Sequence, residues 1–153
     1  HLRLFLGLVE EIVARLADHL EIAGKALDQV ATQIFADGPG RLRAALEGIG
    51  RQGEMLARVR LGLLTVERML STFALWSEDH AEGAALKGHI KGLMRDIQAL
   101  EVHADFLSGR VSLATDTTLG MVNLEQNKTV RIVSVVAALF LPPTLIASIY
   151  GMN

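Results

Sequence analysis

The sequence predicts an all-α fold: an antiparallel helical hairpin, then one very long stalk helix that continues into a transmembrane pore helix. Three observations carry that reading. Half of the 153 residues are hydrophobic but only 5% are aromatic, with three prolines and one tyrosine, a balance that favours helix over strand. Apolar residues recur at steps of three and four through long stretches. Finally, every acidic and basic residue lies at or before Arg131, so the chain ends in an uncharged run.

The first element is a helix over roughly Leu2 to Phe35. Its apolar face is Phe5, Leu8, Val9, Ile12, Leu16, Leu20, Ala23, Leu27, Val30 and Ile34. Asp37-Gly38-Pro39-Gly40 ends it, with Asp37 placed to cap the next helix. The second helix runs from about Arg41 to Leu75 on Leu42, Leu46, Ile49, Gly53, Leu56, Leu63, Val66, Leu70 and Phe73, with one skipped position at Arg60. Gly48, Gly50, Gly53 and Gly62 each weaken a helix by about 1 kcal/mol relative to alanine, which points to close packing against the first helix. Two helices of similar length across a short break form an antiparallel hairpin, residues 1–76.

Ser77-Glu78-Asp79-His80 is the second break. From about Ala81 a single helix is expected to Tyr150, about 100 Å long. Leu86, Ile90, Leu93, Ile97, Leu100, Ala104, Leu107, Val111 and Ala114 alternate steps of four and three, a heptad seam that requires packing against other helices. Residues 81–131 are its cytoplasmic stalk and 132–150 its membrane span.

Ile132 to Tyr150 reads IVSVVAALFLPPTLIASIY. As a helix it is about 28 Å long, against a hydrocarbon core of about 30 Å. Lys128 and Arg131 precede it, so the positive-inside rule expects the N-terminal part in the cytoplasm. Pro142 and Pro143 are expected to bend or loosen the helix, because each lacks an N–H and clashes with the preceding turn.

A second stripe enters this span. Asp116, Gly120, Asn123, Asn127, Val130, Ser134, Ala137, Leu141, Thr144 and Ser148 again alternate four and three, and most are polar or glycine. Ile132, Val135, Val136, Leu139, Ile146 and Ile149 occupy the opposite side. Polar groups in a bilayer require partners or water. Close helix packing through small residues is one explanation; a wet axis enclosed by several copies is the other. The asparagines and Asp116 favour the axis, since equal copies of Asp116 would repel unless a cation lay between them.

Composition narrows the function. With no cysteine, disulfides, thiolate metal sites and cysteine nucleophiles are excluded. A net charge of −2 does not point to nucleic acid as a partner. No Ser-His-Asp order, phosphate loop or HExxH is present, so neither an enzyme nor an organic cofactor is expected. Glu10, Glu11, Glu21, Glu47, Glu54 and Glu67 read as solvated helix faces. His89 and His103 lie four turns apart on one face, too far to share a metal.

The chain closes on FLPPTLIASIYGMN, preceded by RDIQALEVHADFL and NLEQNKTVRIVSVV. These residues resemble the CorA family of divalent-cation channels, whose signature is Tyr-Gly-Met-Asn at the end of the first of two membrane helices. The double proline and the EQN stretch resemble its enterobacterial type. The resemblance implies a homopentamer in the lipid of the inner (cell) membrane, multi-pass in the full-length protein, with five stalk helices around the axis and the hairpins beside them. It also implies that the chain is a fragment without the family's N-terminal α/β domain and second membrane helix.

By the same resemblance, Gly151, Met152 and Asn153 form the outer mouth, where Gly151 allows a sharp turn. Asn127 is the inner polar ring, and Thr144 and Ser148 line the middle. Val130, Val133 and Leu141 make the apolar constriction, with Ser134 and Ala137 also on the pore wall. Asp116 matches an acidic stalk ring. Asp96 resembles a stalk aspartate that binds regulatory Mg²⁺. The implied cargo is Mg²⁺, with Co²⁺ or Ni²⁺ as further ions, under control of internal Mg²⁺. Two rival readings are a membrane-anchored coiled-coil adaptor that transports nothing and a related zinc transporter.

Overall fold

The computed structural model describes residues 1–79 and 83–152. Among these there are three helices and no strand: α1 (Leu2–Ile34), α2 (Arg41–Glu78) and α3 (Gly83–Gly151). The all-α fold and the very long last helix are as the sequence predicts. The second break begins later than expected, since Ser77 and Glu78 still belong to α2. His80 and Ala81, the expected end of that break and start of the last helix, lie outside the described residues.

α1 and α2 form an antiparallel hairpin, and the first half of α3 packs against both. Ion pairs between elements fix the directions. His89 faces Glu10 at 3.6 Å and Arg110 meets Asp28 at 2.6 Å, so α1 runs parallel to α3. Arg60 meets Asp105 at 2.8 Å and Arg41 meets Glu125 at 2.5 Å, so α2 runs antiparallel to it. The α1–α2 turn therefore lies towards the apolar end of α3.

The heptad seam becomes the third wall of the core. Leu86, Ile90, Leu93, Ile97, Ala104 and Leu107 are buried, with Leu100, Val111 and Ala114 part-buried beside them. Each full burial of such an aliphatic side chain contributes about 1.5–3 kcal/mol. The seam also extends beyond Ala114. Thr118 is fully buried, and its hydroxyl donates to the Ala114 carbonyl at 2.6 Å, which removes the cost of an unpaired polar group. Met121 and Val122 follow against Ile34, Leu42 and Ala45.

Two partners instead of one alter the faces of the hairpin. On α1, Leu6 and Val13 join the core while Leu8 stays exposed, because contact with both α2 and α3 widens the buried stripe and turns it. On α2 the gap at Arg60 is filled by Val59, which is buried. The glycines divide accordingly. A Cβ on Gly48 would stand 2.9 Å from Val30, and one on Gly62 would stand 3.1 Å from Leu16, both on α1. Gly53 instead faces Val111 of α3, and Gly50 faces open space.

The turn is built from backbone rather than from an aspartate cap. Gly38 and Gly40 take φ of 128° and 76°, where a Cβ is disfavoured. Gly40 is the N-cap of α2, with no side-chain hydrogen bond to it. Arg41 closes the turn instead: its guanidinium donates to the Ile34 carbonyl at the end of α1 as well as to Glu125.

Candidate functional site

The stripe from Asp116 to Ser148 lies along α3 on the side turned away from the hairpin. The two heptad faces are offset by two positions, about 200° around the helix. All ten stripe residues are exposed, while the seam opposite is buried or part-buried. The separation holds upstream as well. Counting back from Asp116 by the same steps gives Leu113, Gly109, Phe106, Val102 and Ala99, and each of these is exposed. Val102, Phe106 and Leu113 are large and apolar yet 70%, 63% and 66% accessible. This lower section carries no polar or charged side chain, so polarity does not mark it in the sequence as it marks the stripe from Asp116 onward. The same heptad count, run backwards, finds it.

From Asn123 to Met152 every described residue is exposed, on both sides of α3. Among the described residues of the chain, no other helix covers residues 132–150. The helix nevertheless runs unbroken through Pro142 and Pro143 to Gly151. The missing N–H groups leave the carbonyls of Ala138 and Leu139 without their usual helical donors. One turn on, the Thr144 hydroxyl donates to the Phe140 carbonyl at 2.8 Å. Its hydrogen is used within the helix, so its oxygen lone pairs face outward as acceptors.

The remaining candidates divide by position. Asn127, Val130, Val133, Ser134, Ala137, Leu141, Thr144 and Ser148 lie on the bare part of α3. Gly151 is the last residue of α3 and has no positive φ, and Met152 comes after it as an exposed turn. Asn153 lies outside the described residues. Asp116 and Asp96 are exposed, and among the described residues neither has an ion-pair partner in the chain. Nor do any three His, Asp or Glu side chains among the described residues converge closely enough to chelate a metal.

Over residues 3–153 the chain matches the family described as CorA-like Mg2+ transporter protein. It belongs to the CorA family. The magnesium transport protein CorA of Pasteurella multocida is 33% identical over 149 residues, which are 97% of this chain and 46% of that protein. The magnesium transport protein CorA of Escherichia coli K12 is 34% identical over 151 residues, 98% of this chain and 47% of the relative. The chain thus spans just under half the length of these CorA relatives. No solved structure matches it.

Membership in the CorA family directs attention to charge as well as to the stripe. Most of the glutamates expected on solvated faces pair locally, Glu11 with Arg15, Glu21 with Lys25, Glu47 with Arg43 and Glu54 with Arg58. Glu10 reaches across to His89 instead. Glu67 is half-buried and lines a cleft between α2 and α3 with Arg60, Glu101 and Asp105. Burial, reinforced by the charges of Glu67 and Asp105 and opposed by Arg60, pushes the Glu101 carboxyl above its ordinary value. Its Oε1 is buried and accepts no hydrogen bond among the described residues.

Proposed function

We propose that the chain is the stalk and first membrane helix of a divalent-cation channel that transports Mg²⁺. The observation that carries the reading is the continuous exposed heptad face of α3. It is apolar from Ala99 to Leu113, polar from Asp116 to Asn127, and runs without a break into the uncharged span. A single chain covers only the opposite face. Copies of α3 around an axis bury Val102, Phe106 and Leu113 against one another and bring Asp116 and Asn127 towards a shared, wet centre. The CorA relatives named as magnesium transport proteins supply the ion, and the family resemblance supplies the number five.

Mg²⁺ holds its waters tightly in an octahedron and sheds them reluctantly. Neutral oxygens suit such an ion. The amides of Asn127 and Asn153 accept hydrogen bonds from its waters without stripping them, and the outward lone pairs of Thr144 do the same within the span. The hydroxyl of Ser148 continues that lining. Val130, Val133 and Leu141 form apolar rings, which block ion passage by excluding water when narrow. The proposed activity is passage, without chemical conversion and without an organic cofactor. Internal Mg²⁺ bridging the stalk carboxylate of Asp96 to neighbouring subunits would hold the bundle closed.

The test is the mass of the detergent-solubilised full-length complex, followed by ion flux. A multimer whose Mg²⁺ uptake falls in Asn153→Ala, and whose uptake rises when a chelator removes internal Mg²⁺, is the expected outcome. A monomer, or undiminished uptake in the variant, would overturn the assignment.

A further inference from the structure

The hairpin turn is placed where the helical bundle and the apolar run meet, and it carries an exposed aromatic ring, Phe35, at that level. α1 runs parallel to α3 and ends at Ile34, so residues 35–40 are the part of the hairpin nearest the span. The height of this turn is fixed. Arg41, only 17% exposed, donates to the Ile34 carbonyl and to Glu125 of α3, while Ile34 and Leu42 pack in the cluster joined by Met121 and Val122. Glu125 precedes the uncharged run at Ile132 by about 10 Å along the helix. The polar layer of a bilayer is about 5–8 Å thick on each side. The turn extends from the Arg41–Glu125 pair towards that layer.

We propose that this turn is a second membrane contact, resting in the headgroup layer of the same bilayer that α3 crosses. Phe35 is 70% exposed at the end of α1 and packs in neither core cluster. Phenylalanine has no polar edge to leave in water, so its ring gains by reaching the boundary between headgroups and acyl chains, where the apolar side chains of interfacial segments lie. Lys128 and Arg131 stand on α3 at the same level, exposed and without an ion-pair partner among the described residues. Their charges complement lipid phosphates at an anionic surface. Gly38, Pro39 and Gly40 are uncharged and small, whereas the exposed carboxylate of Asp37 in the same turn must stay hydrated, which limits the contact to headgroup depth. The contact makes each hairpin a strut between the bundle and the bilayer, so a tilt of α3 within the membrane is resisted at the turn as well as along the seam.

The inference rests on the reading that residues 132–150 span a membrane, and the experiment separates the two. The chain has no cysteine, so single spin labels can be placed in the full-length protein, with any cysteine elsewhere replaced. Phe35→Cys, Leu61→Cys and Ile146→Cys would be labelled in vesicles containing phosphatidylglycerol, and collision rates with oxygen and with a water-soluble nickel chelate measured. The expected oxygen-to-nickel ratio at position 35 is several-fold above that at exposed Leu61, with the highest ratio at position 146. A water-like ratio at 35 beside a lipid-like ratio at 146 overturns the turn contact and leaves the span. Low accessibility to both reagents at 35 also overturns it, because the turn is then covered by protein. A water-like ratio at 146 overturns the span reading, and the turn contact with it.

Discussion

Leu107 and Phe106 are neighbours in sequence and stand on different faces of α3. Leu107 is 1% exposed against the hairpin, whereas Phe106 is 63% exposed on the bare side. Both belong to heptad runs of apolar residues, so spacing alone assigns them equal rank. The difference is which partner the chain itself supplies. α1 and α2 reach one face of α3, as far as the Arg41–Glu125 ion pair; among the described residues nothing in the chain reaches the other face, or either face beyond Glu125. A heptad face records that a helix has a partner, without recording whether the partner is in the same chain.

The sharpest way to break that comparison is to shorten the two neighbours separately. Leu107→Ala is expected to lower unfolding stability by about 2–5 kcal/mol through the cavity it leaves. Phe106→Ala should change unfolding of the chain by no more than about 0.5 kcal/mol and instead reduce the mass of the assembled complex. Denaturant titration and light scattering of the full-length protein in detergent measure both. Equal unfolding losses would mean that the two faces are not distinct.

A smaller effect separates the glycines of α2. Gly48→Ala, forced against Val30, should cost about 1–3 kcal/mol by overpacking. Gly50→Ala, with open space around it, should stabilise by up to about 1 kcal/mol through helix propensity. Opposite shifts in the same denaturant titration are the expected result.

On the bare face, Asn127→Leu should slow Mg²⁺ uptake roughly tenfold, about 1.4 kcal/mol in the barrier, with unfolding unchanged because the residue touches no core. Isotope or dye flux in reconstituted vesicles reads it. An unfolding shift comparable to that of Leu107→Ala would place Asn127 in the fold instead.

The smallest expected effect is at the α2–α3 cleft. The Glu101 carboxyl is raised, so the folded chain holds its proton to higher pH than the unfolded chain does. Stability is therefore lost as pH rises through the window between the ordinary value and the raised one, and regained as pH falls through it. Glu101→Gln should remove that pH dependence and stabilise the chain at neutral pH by less than about 0.5 kcal/mol, measured by melting at several pH values.

Much of this was legible in the sequence. Helix α3 could be traced from Leu86 to Tyr150 because its heptads never lapse, and the span announced itself by the loss of charge after Arg131. The stripe from Asp116 to Ser148 was readable at the same spacing. Less legible were the residues where two helices compete for one face. Leu8 fits the α1 period and is exposed, while Leu6 and Val13 are buried. Thr118 is polar by type and buried by position. The role expected of Asp37 as a cap passed to Gly40 and Arg41.

By itself, then, the sequence determined the three helices, their order and the point at which charge ends on α3, because periodicity, glycine–proline punctuation and charge are local properties. Only the tertiary structure decided which heptad face of α3 the hairpin occupies, which glycines of α2 touch α1, and that the α1–α2 turn is tied to Glu125 near the uncharged end of α3. Those outcomes depend on three helices sharing one core, where shape and the reach of Arg41 select among faces that hydrophobicity leaves equivalent.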